Sequence, residues 1–336
     1  MADNISRDEI VRGSDANERV RLSAGITALD NVGYLTDMSV GYSQNMFIAD
    51  IVAPRIRVDK EQGTYWKWGR DAFRSEKKTG DTQVGLLRAL RSESQTFDAV
   101  ASTGSYECEE YAINFFIDQR EIATSANPEV AKTLMVNQAL SLDREVRVAS
   151  LLGSGSNLTN NTTLSGTLQW SDTTTGVSDP IGDIETGIDT VRKNSGTFPN
   201  VAFMNYEVYI KLRRHPDVLA MFKVQQGAVS DAALTELIFG GNGGRLAVGS
   251  AIYDNSNEGA TYSGASVWPK CFGLMYVPPT PDILVPATCY QVYTRDRTVV
   301  TAEVPTKHSR WYEVSEIQDE IIPTDEAAYL IIDAVA

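Results

Sequence analysis

Histidine and cysteine are scarce in this chain, two of one and three of the other among 336 residues. Cys108, Cys271 and Cys289 cannot all pair with one another, and none lies at C-x-x-C or metal-ligand spacing. A disulfide framework and a cysteine-based metal site are therefore excluded, and a reduced, cytosolic setting is expected. His215 and His308 are the two histidines, and His215 lies between Arg214 and Pro216 at an expected helix end. There a cationic imidazole would complement the helix dipole rather than act as a catalytic base. No uncharged apolar run approaches the roughly 18 residues needed to cross a bilayer, and the first twenty residues lack an apolar signal core. The chain reads as neither secreted nor membrane-spanning, so Asn157-Leu158-Thr159 and Asn161-Thr162-Thr163 mark a polar loop rather than glycans. Positive charge is also short, with 30 Lys/Arg against 44 Asp/Glu and a net charge of −14. That balance argues against a nucleic-acid reader, whose affinity comes mainly from neutralised phosphates. It would suit a wall that encloses nucleic acid without adhering to it.

Familiar chemical motifs fail on their context. Gly153-Ser154-Gly155-Ser156 lacks the G-x-S-x-G elbow, and no strand-turn-helix surrounds it. The run Gly240-Gly241-Asn242-Gly243-Gly244 precedes a strand instead of opening a helix, so it has no row of amides for a phosphate. Asp254-Asn255-Ser256-Asn257-Glu258-Gly259 begins like a calcium loop, but its twelfth position is Ala265 where a bidentate acid is required. Glu109 and Glu110 alternate to opposite faces of a strand, which leaves an acidic hydrolase without a shared site. No catalytic, cofactor-binding or metal residue is expected.

What the chain does contain is an arm it could not fold onto itself. Residues 60–95 open with Tyr65-Trp66-Lys67-Trp68 and close with Leu86-Leu87-Arg88-Ala89-Leu90, with turn chemistry at Lys77-Lys78-Thr79-Gly80-Asp81 between them. Folded back at Gly80, each leg has roughly 15 to 18 residues and the arm would project on the order of 50 Å. A two-stranded ribbon is marginal in water. The arm therefore needs a surface, most economically that of another copy. Trp66 and Trp68 fall on one face and Tyr65 and Lys67 on the other. The tryptophans either pair across the hairpin or anchor in a neighbour's groove, the latter favoured because aromatics dominate interface hot spots. Residues 55–91 carry ten Lys/Arg against five Asp/Glu, whereas 303–336 carry eight acids against Lys307 and Arg310. Two solvated faces are one reading of this split. The other sets Arg70, Arg74, Lys77, Lys78, Arg88 and Arg91 of one copy against Glu303, Glu313, Glu316, Asp319 and Glu320 of the next, fixing register.

Local punctuation organises the rest. Residues 1–41 are polar and poor in aromatics, which suggests a flexible or partner-ordered arm. A short helix near 42–51 stops at Pro54, and 106–117 alternates as a strand. The longest helical signal spans 127–152, with Asn127 as cap, Pro128 in the first turn, an apolar face of Val130, Leu134, Leu142, Val146 and Leu152, and Asp143 spaced to pair with Arg147. A Gly/Ser/Thr/Asn-rich loop follows over 153–176. Asp179-Pro180 then opens a helix that Gly196 ends, 198–204 reads as a buried strand, Asn205 caps a helix ended by Pro216, and Ser230-Asp231 opens another running to Phe239. Strands are expected over 245–253, 267–277, 290–294, 299–304, 311–321 and 329–332. A central α/β block with long strands before and after it is an α+β class rather than regular β-α-β winding.

The order of these features resembles the major capsid proteins of tailed phages with the Hong Kong 97-type fold. The resemblance runs from about Tyr42 to the C-terminus and rests on Phe47-Ile48-Ala49-Asp50-Ile51-Val52-Ala53-Pro54, the basic arm, the long helix, Trp170-Ser171-Asp172 with Ser178-Asp179-Pro180-Ile181-Gly182, Pro199-Asn200-Val201-Ala202-Phe203-Met204-Asn205, Leu212-Arg213-Arg214-His215-Pro216, Val248-Gly249-Ser250-Ala251-Ile252-Tyr253 and Ala327-Ala328-Tyr329-Leu330-Ile331-Ile332. It implies an N-terminal arm (1–41), a lead-in helix and strand of the peripheral domain (42–59), an extended loop (60–95), a peripheral domain with a spine helix at 127–152 (96–178), an axial domain (179–289), return strands of the peripheral domain (290–324) and a strand returning to the axial domain (325–336). It further implies a shell of hexamers and pentamers enclosing double-stranded DNA without sequence-specific binding, built in the bacterial cytoplasm with a portal, possible decoration proteins and no cofactor. Because the N-terminal arm is reached within about forty residues, a separate scaffolding protein is expected. Lys77 and Lys78 stand where some members carry a cross-linking lysine, but the sequence names no asparagine partner. The alternative within the fold is an encapsulin-type nanocompartment shell.

Overall fold

The computed structural model describes residues 30–31, 47–67, 77–79, 82–84, 90–91, 102–124, 127–173, 177–222, 229–241, 243–256, 261 and 263–336. In chain order the elements are β1 (Asp30–Asn31), α1 (Ala49–Val52), β2 (Arg55–Arg57), β3 (Gln62–Lys67), β4 (Lys77–Thr79), β5 (Thr82–Val84), β6 (Ser102–Glu107), β7 (Glu109–Asp118), α2 (Gln119–Thr124), α3 (Pro128–Leu152), β8 (Asn161–Thr163), α4 (Pro180–Ser195), β9 (Val201–Asn205), α5 (Tyr206–Arg214), α6 (Pro216–Met221) and α7 (Asp231–Phe239). Then come β10 (Arg245–Gly249), β11 (Ile252–Asp254), β12 (Gly264–Ser266), β13 (Phe272–Met275), β14 (Tyr290–Val304), β15 (Ser309–Ile321) and β16 (Ala328–Ile332). Helices and strands are mixed without regular alternation, as the α+β expectation requires. The chain divides into a first unit of residues 1–45, 108–143 and 293–318 and a second of 46–107, 144–292 and 319–336.

The second unit is built on a five-stranded sheet in the order β10-β9-β13-β16-β8. Its interior strand β9 is buried at all five positions, so its apolar run, VAFM, shows no alternation. One core cluster gathers Trp170, Ile184, Val191, Leu212, Leu234, Phe272 and Ile331, and a second gathers Val148, Leu152, Phe203, Trp268, Met275 and Leu330. The helices on this sheet start and stop where the sequence placed them. The Asp179 carboxylate accepts from the Gly182 amide, and Gly196 closes α4 at φ 69°. Asn205 caps α5 through the Glu207 amide, and Ser230 caps α7, which Gly240 ends at φ 59°. Each needs a backbone conformation or side-chain acceptor that only a few residue types supply. The expected strand at 198–204 begins later, at Val201, and Phe198 is 56% exposed. The strand expected over 245–253 is interrupted at 250–251, and that over 267–277 shrinks to Phe272–Met275.

The first unit packs α3 on a sheet ordered β1-β14-β15-β7, with β2 also pairing with β14. Tyr111, Ile113, Phe115 and Ile117 of β7 meet Val130, Val136 and Leu140 of the helix, together with Val299, Tyr312 and Val314. The strand expected over 106–117 is broken at Cys108 into β6 and β7, which belong to different sheets. Conversely, the strands expected at 290–294 and 299–304 are one continuous β14. Its charged middle stays in the sheet because it finds partners: Arg295 meets Glu110 and Ser315, and Arg297 forks onto Glu316.

Helix α3 has its 25 residues where expected, about 37 Å at 1.5 Å each. Its buried face is only partly the expected one, since Leu152 is buried and Val130 packs on the core as expected but the other three positions do not hold. Val146 is exposed and Leu134 and Leu142 are half-buried, whereas Thr133, Asn137, Leu140, Ser141, Arg144, Glu145, Val148, Ala149 and Leu152 are buried. That stripe keeps the helical period but includes five polar residues, so an apolar-period search misses much of it. Arg147 reaches Glu320 in a bidentate pair instead of serving only the expected helical spacing.

Candidate assembly site

The arm begins at a two-stranded foot, β3 against β6, registered from Gln62↔Glu107 to Lys67↔Ser102. Both strands carry the same short motif, Gly63-Thr64-Tyr65 and Gly104-Ser105-Tyr106. Antiparallel register sets each glycine opposite the other strand's tyrosine. Each ring therefore lies across a strand that has no side chain to obstruct it. A Cβ on Gly63 would stand 2.5 Å from the Tyr106 hydroxyl oxygen, and one on Gly104 would sit inside the Tyr65 ring. Both tyrosines are buried at 8% exposure. On the reverse face Thr64, Thr103 and Ser105 are exposed, and Trp66 is 49% exposed. The spacing that placed Trp66 opposite Tyr65 thus holds, and Trp66 faces Thr103 across the ladder rather than another aromatic.

The foot is tied down by acceptors. Gln62 donates to Glu107 Oε1 at 2.6 Å, and the Glu107 amide donates to Asp319 Oδ2 at 3.0 Å. Burial, reinforced by the Asp319 charge, raises the Tyr65 hydroxyl above its ordinary value, so it stays protonated. An open cleft of about 570 Å³ lies beside this foot, lined among others by Tyr65, Lys67, Ser105, Asp319, Glu320 and Asp325. The segment leading into the foot is also fixed. Glu145, fully buried on α3, accepts from the Ile48 amide at 3.0 Å, the Ala49 amide at 2.8 Å and the Trp268 indole at 2.6 Å. Burial pushes its carboxyl above the usual range despite these donors. Arg144 holds Asp50 of α1 at 3.1 Å.

At the far end, β4 and β5 form the hairpin expected at Gly80, with Thr79↔Thr82 and Lys77↔Val84 in register. The return leg is longer than expected. Nine residues separate β3 from β4, but seventeen separate β5 from β6, with a turn at Leu90-Arg91 and Arg91 at φ 67°. The paired return strand ends at Glu107 instead of near residue 95. Lys77 and Lys78 occupy β4, and Arg91 is exposed. Trp68, Arg70, Arg74 and Arg88 lie outside the described residues.

The acidic segment does not form one solvated face. Glu303 is exposed, 3.7 Å from Arg310. Glu316 is buried and receives the Arg297 fork at 3.0 and 3.2 Å, while Arg297 also bonds the Asn137 carbonyl and Ser141 hydroxyl. Glu313 is buried, raised first by burial and then by Glu110. Glu320 answers Arg147 at 3.1 Å, and Asp319 holds the ribbon's foot. Strand alternation explains the difference, since a run of acids along β15 is sent to two faces and most are consumed inside the chain.

The remaining motifs have structural partners. His215 is 2% exposed and caps α6, its Nδ1 accepting from the Asp217 amide at 3.4 Å. Asp254 Oδ1 accepts from Ser256 and Ser263 in the β11–β12 hairpin. Burial pushes the Cys271 thiol up to about 12 and raises Cys289 as well.

Three comparisons agree with this architecture. The chain is 30% identical over 249 residues to the major capsid protein of Burkholderia phage BcepMu, a match covering 73% of this chain and 75% of that one. A crystallised phage-related protein from Bordetella bronchiseptica superposes with a TM-score of 0.71 at 21% identity, covering 92% of this chain and 99% of the other. The capsid of Cyanophage P-SCSP1u gives a TM-score of 0.55 at 11% identity over 87% and 89% of the two chains. No protein-family profile matches the sequence. An α+β chain with a 25-residue helix, a two-stranded foot and these relatives belongs to the major capsid proteins of tailed phages, in the Hong Kong 97-type fold.

Proposed function

We propose that the ribbon is the assembly arm of this capsid protein, laid over a neighbouring copy so that identical chains close into the hexamers and pentamers of an icosahedral head. The observation that carries this reading is the two-sided foot. Tyr65 and Tyr106 seal one face within the chain, while the other presents Trp66, 49% exposed, among small polar residues. An aromatic held in a rigid ladder loses little entropy on docking and can supply a hot spot. Trp68, Arg70, Arg74, Lys77, Lys78, Arg88 and Arg91 extend that contact along the arm, and Glu303 is the exposed acid suited to receive a cation. Residues 1–41 serve as the N-terminal arm, 60–107 as the extended loop, and the remainder as the peripheral and axial domains expected from the resemblance.

The net charge of −14 fits a wall that contains double-stranded DNA without adhering to it. Each contact is modest, so closure depends on number and on partners such as a scaffolding protein, a portal and decoration proteins, with assembly in the host cytoplasm. The chain's role is structural rather than catalytic, and its place is the virion. The test removes the arm while sparing its foot. Lys67 and Ser102 are paired, so a two-residue turn can join them directly. The shortened chain is expected to stay folded and sediment as monomers or small oligomers under conditions where the parent forms shells; shells of parental diameter would refute the reading.

A further inference from the structure

Near its end β15 carries two consecutive acids, Asp319 and Glu320, and strand alternation sends them to opposite sides. On one side Asp319 Oδ2 accepts from the amide of Glu107, the last residue of the foot, at 3.0 Å. Its other oxygen accepts from the Glu320 amide at 2.8 Å, which fixes how the carboxylate is turned. On the opposite side Glu320 receives Arg147 of α3 in a fork, Nε at 3.2 Å and Nη2 at 3.1 Å, and both side chains are largely buried. Paired charge-assisted bonds of this kind define direction as well as distance. One dipeptide thus ties the root of the arm to the second half of the longest helix.

Packing does not fix this junction. The open cleft of about 570 Å³ has Tyr65, Lys67 and Ser105 of the foot and Leu151 of α3 in its lining, with Asp319 and Glu320 beside them. A foot bordered by open space can tilt into it unless a directed contact holds it. Leverage makes small tilts matter. On an arm expected to project on the order of 50 Å, a turn of about 6° at the root moves the tip by about 5 Å, one strand spacing. Identical chains close into shells of one size only if the same rotation relates each copy to the next, so the angle at the root must be the same in every copy.

We propose that Asp319 and Glu320 form a bracket that sets the angle between the arm and helix α3, with Asp319 the positioning residue on which a uniform shell size depends. The inference rests on the assembly-arm reading and adds what orients the arm within its own chain. Asp319 acts through the Glu107 amide, so an uncharged acceptor should serve in place of the carboxylate, whereas a methyl group should not.

Two measurements test the bracket. Asp319→Ala is expected to form shells of mixed diameter together with open fragments, seen by electron microscopy, while Asp319→Asn, which keeps an oxygen for Glu107, returns to one parental size. Ile184→Val, a small loss from the core of the five-stranded sheet, controls for stability alone: it should lower the urea midpoint and leave the diameter unchanged. The second measurement needs no assembly. Spin labels on Thr64→Cys and Ser150→Cys, both exposed positions in a chain whose native cysteines are buried, report the distance from foot to helix in the unassembled full chain. Losing a hydrogen bond to a charged group lowers the held orientation relative to tilted ones on the order of tenfold, so Asp319→Ala should add a displaced component to the distance distribution. Shells of a single parental diameter from Asp319→Ala, mixed diameters from Ile184→Val, or an unchanged distance distribution would each overturn the bracket. If Asp319→Ala forms no shells, the distance distribution decides. The assembly-arm reading is judged separately, by whether the shortened-arm chain closes, and the spin-label result does not depend on it.

Discussion

The five-stranded sheet and the ribbon's foot are both β-structure in the second unit, yet they are stabilised in different ways. All five residues of β9 and all four of β13 are buried, with each strand bonded on both sides and helices over the faces. Fully burying a Phe or Leu contributes about 1.5–3 kcal/mol, so this sheet supplies its own stability. The foot buries one residue per strand, Tyr65 and Tyr106, and is secured by the reciprocal glycine contacts and the Asp319 bond. Backbone pairing alone does not make a stable sheet; covering does. The foot is left half-covered in the single chain, which is why we propose that assembly covers it.

Four experiments can break or sharpen that contrast. The largest effect belongs to the self-sufficient sheet: Phe203→Ala should cost about 3–5 kcal/mol and abolish soluble expression or sharply lower the urea midpoint. Arg297→Met asks whether buried charge can equal buried apolar area. It strands Glu316 in the interior and should cost about 3–5 kcal/mol, while Arg297→Met combined with Glu316→Leu should recover most of the loss in the same denaturation assay. Gly104→Val forces a side chain into the Tyr65 ring and should cost about 1–3 kcal/mol locally. Hydrogen exchange should quicken in 62–67 and 102–107 with the five-stranded sheet's protection unchanged; equal loss in both would erase the distinction between them.

The smallest effect is electrostatic. Burial, then the Glu110 charge, raises the Glu313 carboxyl, so the folded chain holds that proton more tightly than the unfolded chain. Its contribution is complete below the ordinary carboxylate value and is lost as pH rises through the raised one. Glu313→Gln should therefore flatten the fall in stability between mildly acidic and neutral pH, measured by urea midpoints across that window. An unchanged slope would assign the pH dependence to Glu145 and Glu320, which burial raises as well.

What could be read along the chain follows from how local each cause is. Asp179, Asn205 and Ser230 cap, and Gly196 and Gly240 stop helices, through hydrogen bonds and dihedrals within a few residues, so their positions needed no tertiary information. The turn at Gly80 and the sidedness of Trp66 were equally legible. The buried face of α3 was not, because Thr133, Asn137, Ser141, Arg144 and Glu145 look solvated until their partners are in place. The acids of 303–320 failed for the same reason, their cations being residues as distant as Arg147. The tyrosine lock left a signal that sequence inspection passed over: a G-x-Y repeat on two strands only has meaning once they are known to be antiparallel.

The sequence by itself determined the punctuation, the α+β class and the hairpin between Lys77 and Val84, because capping, turn chemistry and apolar content act over neighbouring residues. Tertiary structure alone decided which polar groups are interior and which acids already have a cation. Those depend on desolvation and on partners tens or hundreds of residues away, and a residue's cost of burial is set by the group it finally meets.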